Sequence, residues 1–220
     1  MNKLFQTADG SNSLMSEQIG VSYHSKHGAV QETQHVFINA AFNYISLPKV
    51  KLLEIGFGTG LNALMTLQNC RMTNKEVEYV AVEAYPISME TVESLDYHTI
   101  LKDNTLEQPL KTMHQLESHV LAEIESNFKF EKRIMLFEDI DASNQYDIIY
   151  FDAFAPNAQP ELWDVDLLAK MYRALKKGGI LTTYCAKGQV KRNLKSLGFT
   201  IESIPGPPGK REMTRAIQPL

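Results

Sequence analysis

A glycine-rich segment that follows an acidic residue is the strongest chemical signal in the sequence. Residues 52–60 read LLEIGFGTG, so an apolar run containing Glu54 leads into three alternating glycines. The run predicts a buried strand, and apolar residues recur at helical spacing from Leu61. Glycines in such a strand-to-helix turn tolerate positive φ and leave room for a ligand, toward which the helix directs unpaired N–H groups. A tight turn without a ligand is the alternative.

Two further acids end apolar runs that read as strands. Glu83 follows residues 77–82, and an acid at the end of the second strand of such a fold can accept both ribose hydroxyls. Asp152 follows residues 146–151, and open α/β sheets keep their ligands at this end of the central strands. We therefore expect Asp152 to carry the chemistry. The structural alternatives are a solvated loop end for Glu83 and a turn-capping role for Asp152.

The glycines follow the spacing Gly-x-Gly-x-Gly, which differs from the Gly-x-Gly-x-x-Gly of dinucleotide-binding enzymes. The acid-led turn resembles motif I of class I S-adenosylmethionine methyltransferases, in which the turn passes the amino-acid end of the cofactor. In that class a carboxylate after the third strand commonly receives the adenine amino group. Glu138 and Asp139 follow the predicted third strand, and the choice between them, or a surface turn, stays open. The cofactor-binding residues expected from the resemblance are Glu54, Gly56, Phe57, Gly58, Thr59, Gly60, Asn62, Glu83, Glu138, Asp139 and Asp152.

Strands and helices alternate after residue 50. The sequence predicts strands at 51–55, 77–82, 133–137, 146–151, 179–185, 199–204 and 212–218, helices at 60–69, 86–94, 162–176 and 188–197, and a more helical, polar segment at 107–127. Such alternation predicts an α/β protein whose parallel sheet is covered by helices on both faces, with the last segment returning as an antiparallel strand. We expect residues 51–220 to form one compact methyltransferase domain and residues 1–50 to form an extension that flanks the substrate side.

Composition excludes several classes of protein. The chain has 220 residues, of which 44% are hydrophobic, as expected for one globular unit with a sizeable core. It contains no apolar run of about 18 residues and no charged-then-apolar leader, so we expect a soluble, cytoplasmic protein that does not bind membranes. Its two cysteines and six histidines show no metal-ligand spacing, and we expect no metal.

Charge is segregated along the chain. Residues 1–169 hold 11 Lys and Arg against 24 Asp and Glu, whereas residues 170–220 hold 11 against 2. The net charges are therefore −13 and +9, and local positive potential attracts nucleic acids even to an acidic protein. A solvated surface without a ligand is the alternative.

Together these segments resemble the methyltransferase half of MnmC, the bifunctional bacterial enzymes that complete 5-methylaminomethyluridine at the tRNA wobble position. The matching segments are Gln31–Phe37, Glu54–Asn62, Asp152–Pro156 with Trp163, Thr183–Gly188 and Lys210–Met213. The resemblance implies a class I methyltransferase fold, which is a Rossmann-like, doubly wound and mostly parallel seven-stranded sheet with one antiparallel strand at the carboxyl end. It implies S-adenosylmethionine as cofactor. It also implies methyl transfer to the exocyclic amine of 5-aminomethyl(-2-thio)uridine in the anticodon stem-loop. The FAD-dependent oxidase domain of the bifunctional members does not follow Leu220, so we expect another enzyme to supply the 5-aminomethyl group.

Roles for individual residues follow from this reaction. We expect Asp152 to orient the amine and accept its proton, and aromatic rings to stack on the wobble base. The expected substrate-binding residues are Phe154, Tyr184, Lys187, Lys191, Arg192, Lys210 and Arg211, with core packing as the alternative for the two rings. Other candidate functions are a methyltransferase or aminopropyltransferase acting on a small amine, a nicotinamide oxidoreductase, and a non-catalytic tRNA-binding module.

Overall fold

The computed structural model describes residues 2–220, which form two sheets and the helices that cover them. The smaller sheet is antiparallel and consists of β1 (Asn2–Gln6), β2 (Asn12–Ser16) and β3 (Val21–Ser22). A helical segment follows, in which α1 (Ala29–Thr33) continues directly into a π-helical stretch, Gln34–Phe42. This segment packs against the main sheet and is buried along most of its length.

The main sheet contains eight strands within the described range. They are β4 (Lys49–Ile55), β5 (Glu76–Glu83), β6 (Leu121–Glu125), β7 (Phe128–Ile134), β8 (Tyr146–Phe151), β9 (Leu175–Thr183), β10 (Thr200–Pro205) and β11 (Glu212–Ile217). Their order is β10-β11-β9-β8-β4-β5-β7-β6. Strands β4, β5, β7, β8 and β9 are parallel, and β11 runs antiparallel to both of its neighbours. The predicted doubly wound, mostly parallel sheet with an antiparallel strand at the carboxyl end is confirmed.

The number of strands differs from the predicted seven. The additional strand, β6, pairs antiparallel with β7 and lies in the segment that the sequence analysis assigned to helix. Its sequence, LAEIE, is partly exposed at the edge of the sheet and so lacks the apolar pattern of a buried strand. β7 also begins and ends earlier than predicted, because Phe128, Phe130 and Lys132 are the side chains that alternate inward.

Helices cover both faces of the main sheet. They are α2 (Leu61–Met72), α3 (Met89–Leu95), α4 (Tyr97–Ile100), α5 (Glu107–Gln115), α6 (Val165–Ala174) and α7 (Gly188–Ser196), with short 3₁₀ turns between some of them. Strand β8 shows why both faces must be covered: Ile148 and Tyr150 join the apolar cluster with α2, whereas Ile149 and Phe151 join the cluster with α6 and α7. Each such buried side chain contributes about 1.5–3 kcal/mol.

The strand order fixes the position of the site. Strand β4 lies between β5 and β8, so the connections that leave the sheet after β4 and β8 turn to opposite sides. In open α/β sheets this reversal opens a crevice at the carboxyl ends of the strands. The acids that end β4, β5 and β8 therefore meet at one edge of the sheet.

Candidate active site

The turn between β4 and α2 is held by glycines with positive φ. Gly56, Gly58 and Gly60 have φ values of +90°, +51° and +78°. A Cβ atom on Gly56 would lie 2.7 Å from the backbone oxygen of Asp152, so only glycine fits there. The Asp152 N–H also donates to the Ile55 carbonyl at 2.9 Å. The glycine turn is therefore packed directly against the end of β8.

Glu83, at the end of β5, holds the other side of the turn. Its Oε2 accepts the Gly58 N–H at 2.8 Å, and its Oε1 accepts the Tyr85 N–H at 2.8 Å. Burial raises the pKa of Glu83, and the backbone donors act in the opposite direction by stabilising the charged form. Each carboxylate oxygen keeps a second lone pair, so Glu83 can still accept hydroxyl groups of a ligand.

One amide group joins the two strand-end acids of β4 and β8. The Asn62 Nδ2 group, in the first turn of α2, donates to Glu54 Oε1 at 2.9 Å and to Asp152 Oδ2 at 2.8 Å. Its Oδ1 accepts the Thr33 hydroxyl at 2.8 Å, which fixes the orientation of the amide. The carboxyl groups of Glu54 and Asp152 are thus held close together, with Glu54 fully buried and Asp152 partly exposed at the cavity wall.

Burial and this proximity change how the two acids ionise. Burial raises the pKa of Asp152 to about 7, with a further increase from the negative charge of Glu32, while Asn62 and Lys210 favour the ionised form. Burial also raises the pKa of Glu54 well above its usual range. Asp152 can therefore both accept and release a proton near neutral pH, which suits a general base.

An ion pair from distant parts of the chain lies beside Asp152. Lys210 Nζ is 2.6 Å from Glu32 Oε1 and lies over the Tyr184 ring, 3.9 Å from its centroid. The Tyr184 hydroxyl donates to the Ala153 carbonyl at 2.7 Å, which holds the ring at the end of β8. Two carboxylates, one ammonium group and an aromatic face are thereby assembled at one position.

These groups share a cavity of about 360 Å³ at the carboxyl ends of the strands. The predicted site residues that line it are Gly56, Phe57, Gly58, Thr59, Asn62, Glu83, Glu138, Asp152, Phe154, Tyr184 and Lys210. Glu54 is fully buried behind Asn62, and Gly60 caps α2. Of the two adjacent acids, Glu138 faces the cavity and Asp139 is not part of its lining. Cavities of this size accept small-molecule ligands.

The remaining predicted basic residues lie outside the cavity lining. Lys191 Nζ is bound to Glu212 at 2.9 Å and to Ser203 at 2.7 Å. Lys187 and Arg192 are exposed near the start of α7, where they donate to the side chains of Asn157 and Gln189. Arg211 is exposed beside Lys210. Lys187 and Arg192 thus keep their charges at the surface, whereas the charge of Lys191 is already paired.

Several lining residues were not predicted from the sequence. Ile19, Tyr23, His24 and Glu32, all within the amino-terminal 50 residues, line the same cavity as the main sheet. Tyr23 packs edge-on against Phe154, with ring centroids 5.1 Å apart. Glu32 lies in one of the segments that carried the family resemblance, and this was the only signal that could have indicated it.

Comparison with known proteins identifies the class of enzyme. A family described as S-adenosyl-L-methionine-dependent methyltransferases matches residues 97–219, more than half of the chain. This chain belongs to that family. Its cofactor is accordingly S-adenosylmethionine. Within residues 2–220, no helix is long and apolar enough to cross a bilayer, and no cluster of three or more potential metal ligands occurs.

The names of individual relatives are more specific than the description of the family. The tRNA 5-methylaminomethyl-2-thiouridine biosynthesis bifunctional protein MnmC of Magnetococcus marinus is 32% identical over 210 residues, which cover 90% of this chain and 31% of the relative. The MnmC of Acinetobacter baylyi is 30% identical over 242 residues, covering 98% of this chain and 37% of the relative. The chain thus spans about a third of the length of the curated relatives it matches.

Solved structures support the fold. MNMC2 from Aquifex aeolicus superposes with a TM-score of 0.78 at 22% identity, covering 100% of this chain and 72% of that chain. Spermidine synthase from Thermotoga maritima superposes with a TM-score of 0.56 at 13% identity, covering 98% of this chain and 71% of that chain. At these identities the likeness concerns the fold alone.

Proposed function

We propose that this chain transfers the methyl group of S-adenosylmethionine to the exocyclic amine of 5-aminomethyl(-2-thio)uridine at the tRNA wobble position. The observation that carries the proposal is the carboxyl group of Asp152, which Asn62 holds at the wall of the cavity beside Glu32 and Lys210, and whose pKa is raised by burial to about 7. An amine acceptor needs such a group to remove its proton before methyl transfer. The names of the MnmC relatives, which concern this nucleoside, supply the substrate.

The cavity suits the cofactor in three places. Glu83, bound at one edge to Gly58 and Tyr85, has free lone pairs for the two ribose hydroxyls. Glu138 is the acid available to an adenine amino group. The glycine turn lies at the end of β4, where the amino-acid part of the cofactor would fit without meeting a Cβ atom, and the buried Glu54 holds Asn62 in place behind this part of the cavity. We infer that the cofactor lies in the same orientation as in other class I methyltransferases.

The acceptor must lose a proton before it can react. An alkylamine has a pKa of about 10.4, so it is protonated at neutral pH and has no lone pair. When bound, S-adenosylmethionine supplies an electrophilic methyl group, to which the amine nitrogen bonds as the carbon–sulfur bond breaks and its electron pair stays on sulfur. Asp152 Oδ atoms accept the amine proton and release it to water. Because Asp152 is a stronger base than an ordinary carboxylate, it suits this role.

Orientation contributes more than proton transfer. Holding the acceptor amine and the methyl donor in line can lower the activation barrier by about 7–11 kcal/mol. A general base has a smaller effect, because it typically raises the rate by about 10²–10⁴-fold. The Thr33–Asn62 pair fixes one oxygen of Asp152, and backbone contacts fix the end of β8. Asp152 is thereby held rigidly enough to align the amine as well as to deprotonate it.

The base and the RNA backbone would be held by different surfaces. Phe154 and Tyr23 form an aromatic pair at the cavity on which a splayed-out wobble base can stack. Tyr184 offers less stacking area, because Lys210 already covers one face of its ring. Lys187 reaches Asn157, within a loop that lines the cavity, so its positive charge lies at the rim where phosphates would pass.

Combined replacement of Lys187 and Arg192 by alanine is expected to weaken tRNA binding and to reduce its salt dependence. Both side chains are exposed, and neither forms an ion pair within 4.0 Å among the described residues. Loss of two phosphate contacts should lower the slope of log K against log salt by about 1–2. Fluorescence anisotropy with labelled tRNA at several salt concentrations measures the slope. Lys49→Ala, at the opposite end of β4, is the control. An unchanged slope in the double variant would show that this surface does not contact RNA.

The reaction itself is tested by methyl transfer. The chain is incubated with labelled S-adenosylmethionine and tRNA from cells that lack its gene, and the nucleosides are then analysed. Label in 5-methylaminomethyluridine is the expected result. Cofactor binding without transfer to tRNA that carries the 5-aminomethyl group would contradict the proposal and would favour a small amine as the acceptor.

A further inference from the structure

The ion pair between Glu32 and Lys210 has no part in the proton transfer described above, yet it lies at the same wall of the cavity. Glu32 is contributed by α1 and Lys210 by the loop before β11, 178 residues apart in sequence. The Glu32 side chain is 9% exposed and that of Lys210 is 33% exposed. A shielded ion pair of this kind exerts a stronger field on its neighbours than a surface pair does.

Both partners are held in place by their own elements. Glu32 Oε2 accepts the Ser25 N–H at 2.8 Å, so the carboxylate cannot follow Lys210 away from the cavity. Lys210 follows a loop of two glycines and three prolines, residues 205–209, and its own N–H donates to the Pro207 carbonyl at 2.9 Å. Tyr184 supports the ammonium group from below. The positive charge therefore has a fixed position.

The charged and titratable groups around Asp152 come from several elements. Glu32 belongs to α1, Lys210 to the loop before β11, Glu54 to β4, Tyr79 and Glu83 to β5, and Tyr184 to the segment after β9. Burial lowers the pKa of His24 to about 4, so this lining residue is uncharged at neutral pH. Tyr184 is also uncharged, because burial raises its pKa. Of these groups, Lys210 is the one with a positive charge.

We propose that the Glu32–Lys210 ion pair sets the pH range in which the acceptor amine is methylated. The proposal rests on the proposed amine-methylating function. Lys210 acts as a positioning residue that keeps a positive charge beside Asp152 and the amine, and Glu32 limits the effect of that charge. A fixed cation disfavours the ammonium form of a bound amine and favours the ionised form of a carboxylate. Both effects extend activity to lower pH.

The signs of the expected changes separate this role from a structural one. Removing the Lys210 charge should raise the pKa of both Asp152 and the amine, because each loses a neighbouring cation. Removing the Glu32 charge should lower both pKa values, because each loses a neighbouring anion. If the pair only stabilised the fold, the two variants would lose stability alike and the pH dependence of transfer would not move.

The experiment measures the single-turnover rate of methyl transfer against pH, with amine-bearing tRNA and saturating S-adenosylmethionine. For Lys210→Met, the midpoint of the rate profile should rise by about 1, with the rate recovering toward that of the wild type at high pH. For Glu32→Gln, the midpoint should fall. Lys210→Arg keeps the charge and should restore the profile of the wild type. Lys49→Met and Glu76→Gln, which break an exposed Lys–Glu pair at the other end of the sheet, are the matched controls.

Each outcome has one meaning. Opposite movements of the two midpoints, with S-adenosylmethionine affinity near that of the wild type, support the proposal. Transfer by all variants with an unmoved profile, or movement of both midpoints in the same direction, would overturn it while leaving the proposed function intact. Absence of transfer by the wild type would overturn the proposed function itself, and the ion-pair proposal with it. Should Lys210→Met fail to fold, Glu32→Gln and Lys210→Arg still give the test.

Discussion

Asp152→Asn is expected to slow methyl transfer by about 10²–10⁴-fold, the usual contribution of a general base, while S-adenosylmethionine affinity changes little. The substituted amide keeps the shape of the carboxyl group and can still accept a hydrogen bond from Asn62, but it cannot take up the amine proton. Stopped-flow single-turnover rates and calorimetric titration of the cofactor measure the two effects separately. Equal losses in rate and in affinity would make Asp152 a binding residue instead.

The pH dependence gives a second test of the same residue. Because the folded-state pKa of Asp152 is about 7, the rate of the wild type should rise with pH through this value as the carboxyl group ionises. The Asn variant should lose that rise. Asp147→Asn is a matched control, since Asp147 lies at the opposite end of β8, where it pairs with Lys176 at 2.9 Å. It should leave the shape of the profile unchanged.

Stability should change in the direction opposite to activity. A folded-state pKa raised above the ordinary 3.8 means that Asp152 contributes stability below that ordinary value and loses this contribution as pH rises through about 7. At pH 8 the wild type therefore holds an unfavourable buried charge that the Asn variant lacks. We expect a higher melting temperature for Asp152→Asn at pH 8, by calorimetry. A lower melting temperature would mean that inactivity reflects damage to the fold.

The sequence was sufficient for the parts of the site that parallel strands bring together. Glu54, Glu83 and Asp152 each end an apolar run, and a parallel sheet places such ends at one edge. The glycine turn could also be predicted from the sequence, because backbone positions with positive φ favour glycine. Local patterns therefore predicted that the glycine turn and the acids at the ends of β4, β5 and β8 lie at one edge of the sheet.

Contacts between segments that are distant in sequence could not be predicted from local patterns. Glu32 and Lys210 meet across 178 residues, and neither stands in a local pattern that indicates a partner. Asn62 lines the cavity, and its predicted cofactor contact stays a prediction. Its position between two carboxylates was not predicted, because that position depends on the packing of α2 against both strands. Strand β6 was missed for a related reason: it is an edge strand whose pairing with β7, rather than its own composition, makes it a strand.

Gly56→Ala is expected to destabilise the protein and to weaken S-adenosylmethionine binding by about 10-fold or more, which corresponds to about 1.4 kcal/mol or more of binding free energy. The new Cβ would lie 2.7 Å from the Asp152 oxygen and 3.3 Å from its carbonyl carbon, and both are main-chain atoms that cannot rotate away. Strain at positive φ costs about 1–2 kcal/mol, and overpacking adds about 1–3 kcal/mol. For a chain of this length the melting temperature should fall by about 5–15 °C. Calorimetry with and without cofactor measures both effects.

Gly10→Ala separates strain from collision. Gly10 has a φ of +85°, close to that of Gly56, but its Cβ would meet only the Ile100 Cδ1 atom at an ordinary 3.5 Å. It should therefore lower the melting temperature by the strain alone, about 2–6 °C, and leave cofactor affinity near that of the wild type. Equal losses in the two variants would show that the approach of the turn to β8 is unimportant. Since Gly56 contacts the backbone of Asp152, its substitution should reduce both cofactor binding and transfer, whereas Asp152→Asn should reduce transfer alone. That difference would separate the role of the turn from that of the base.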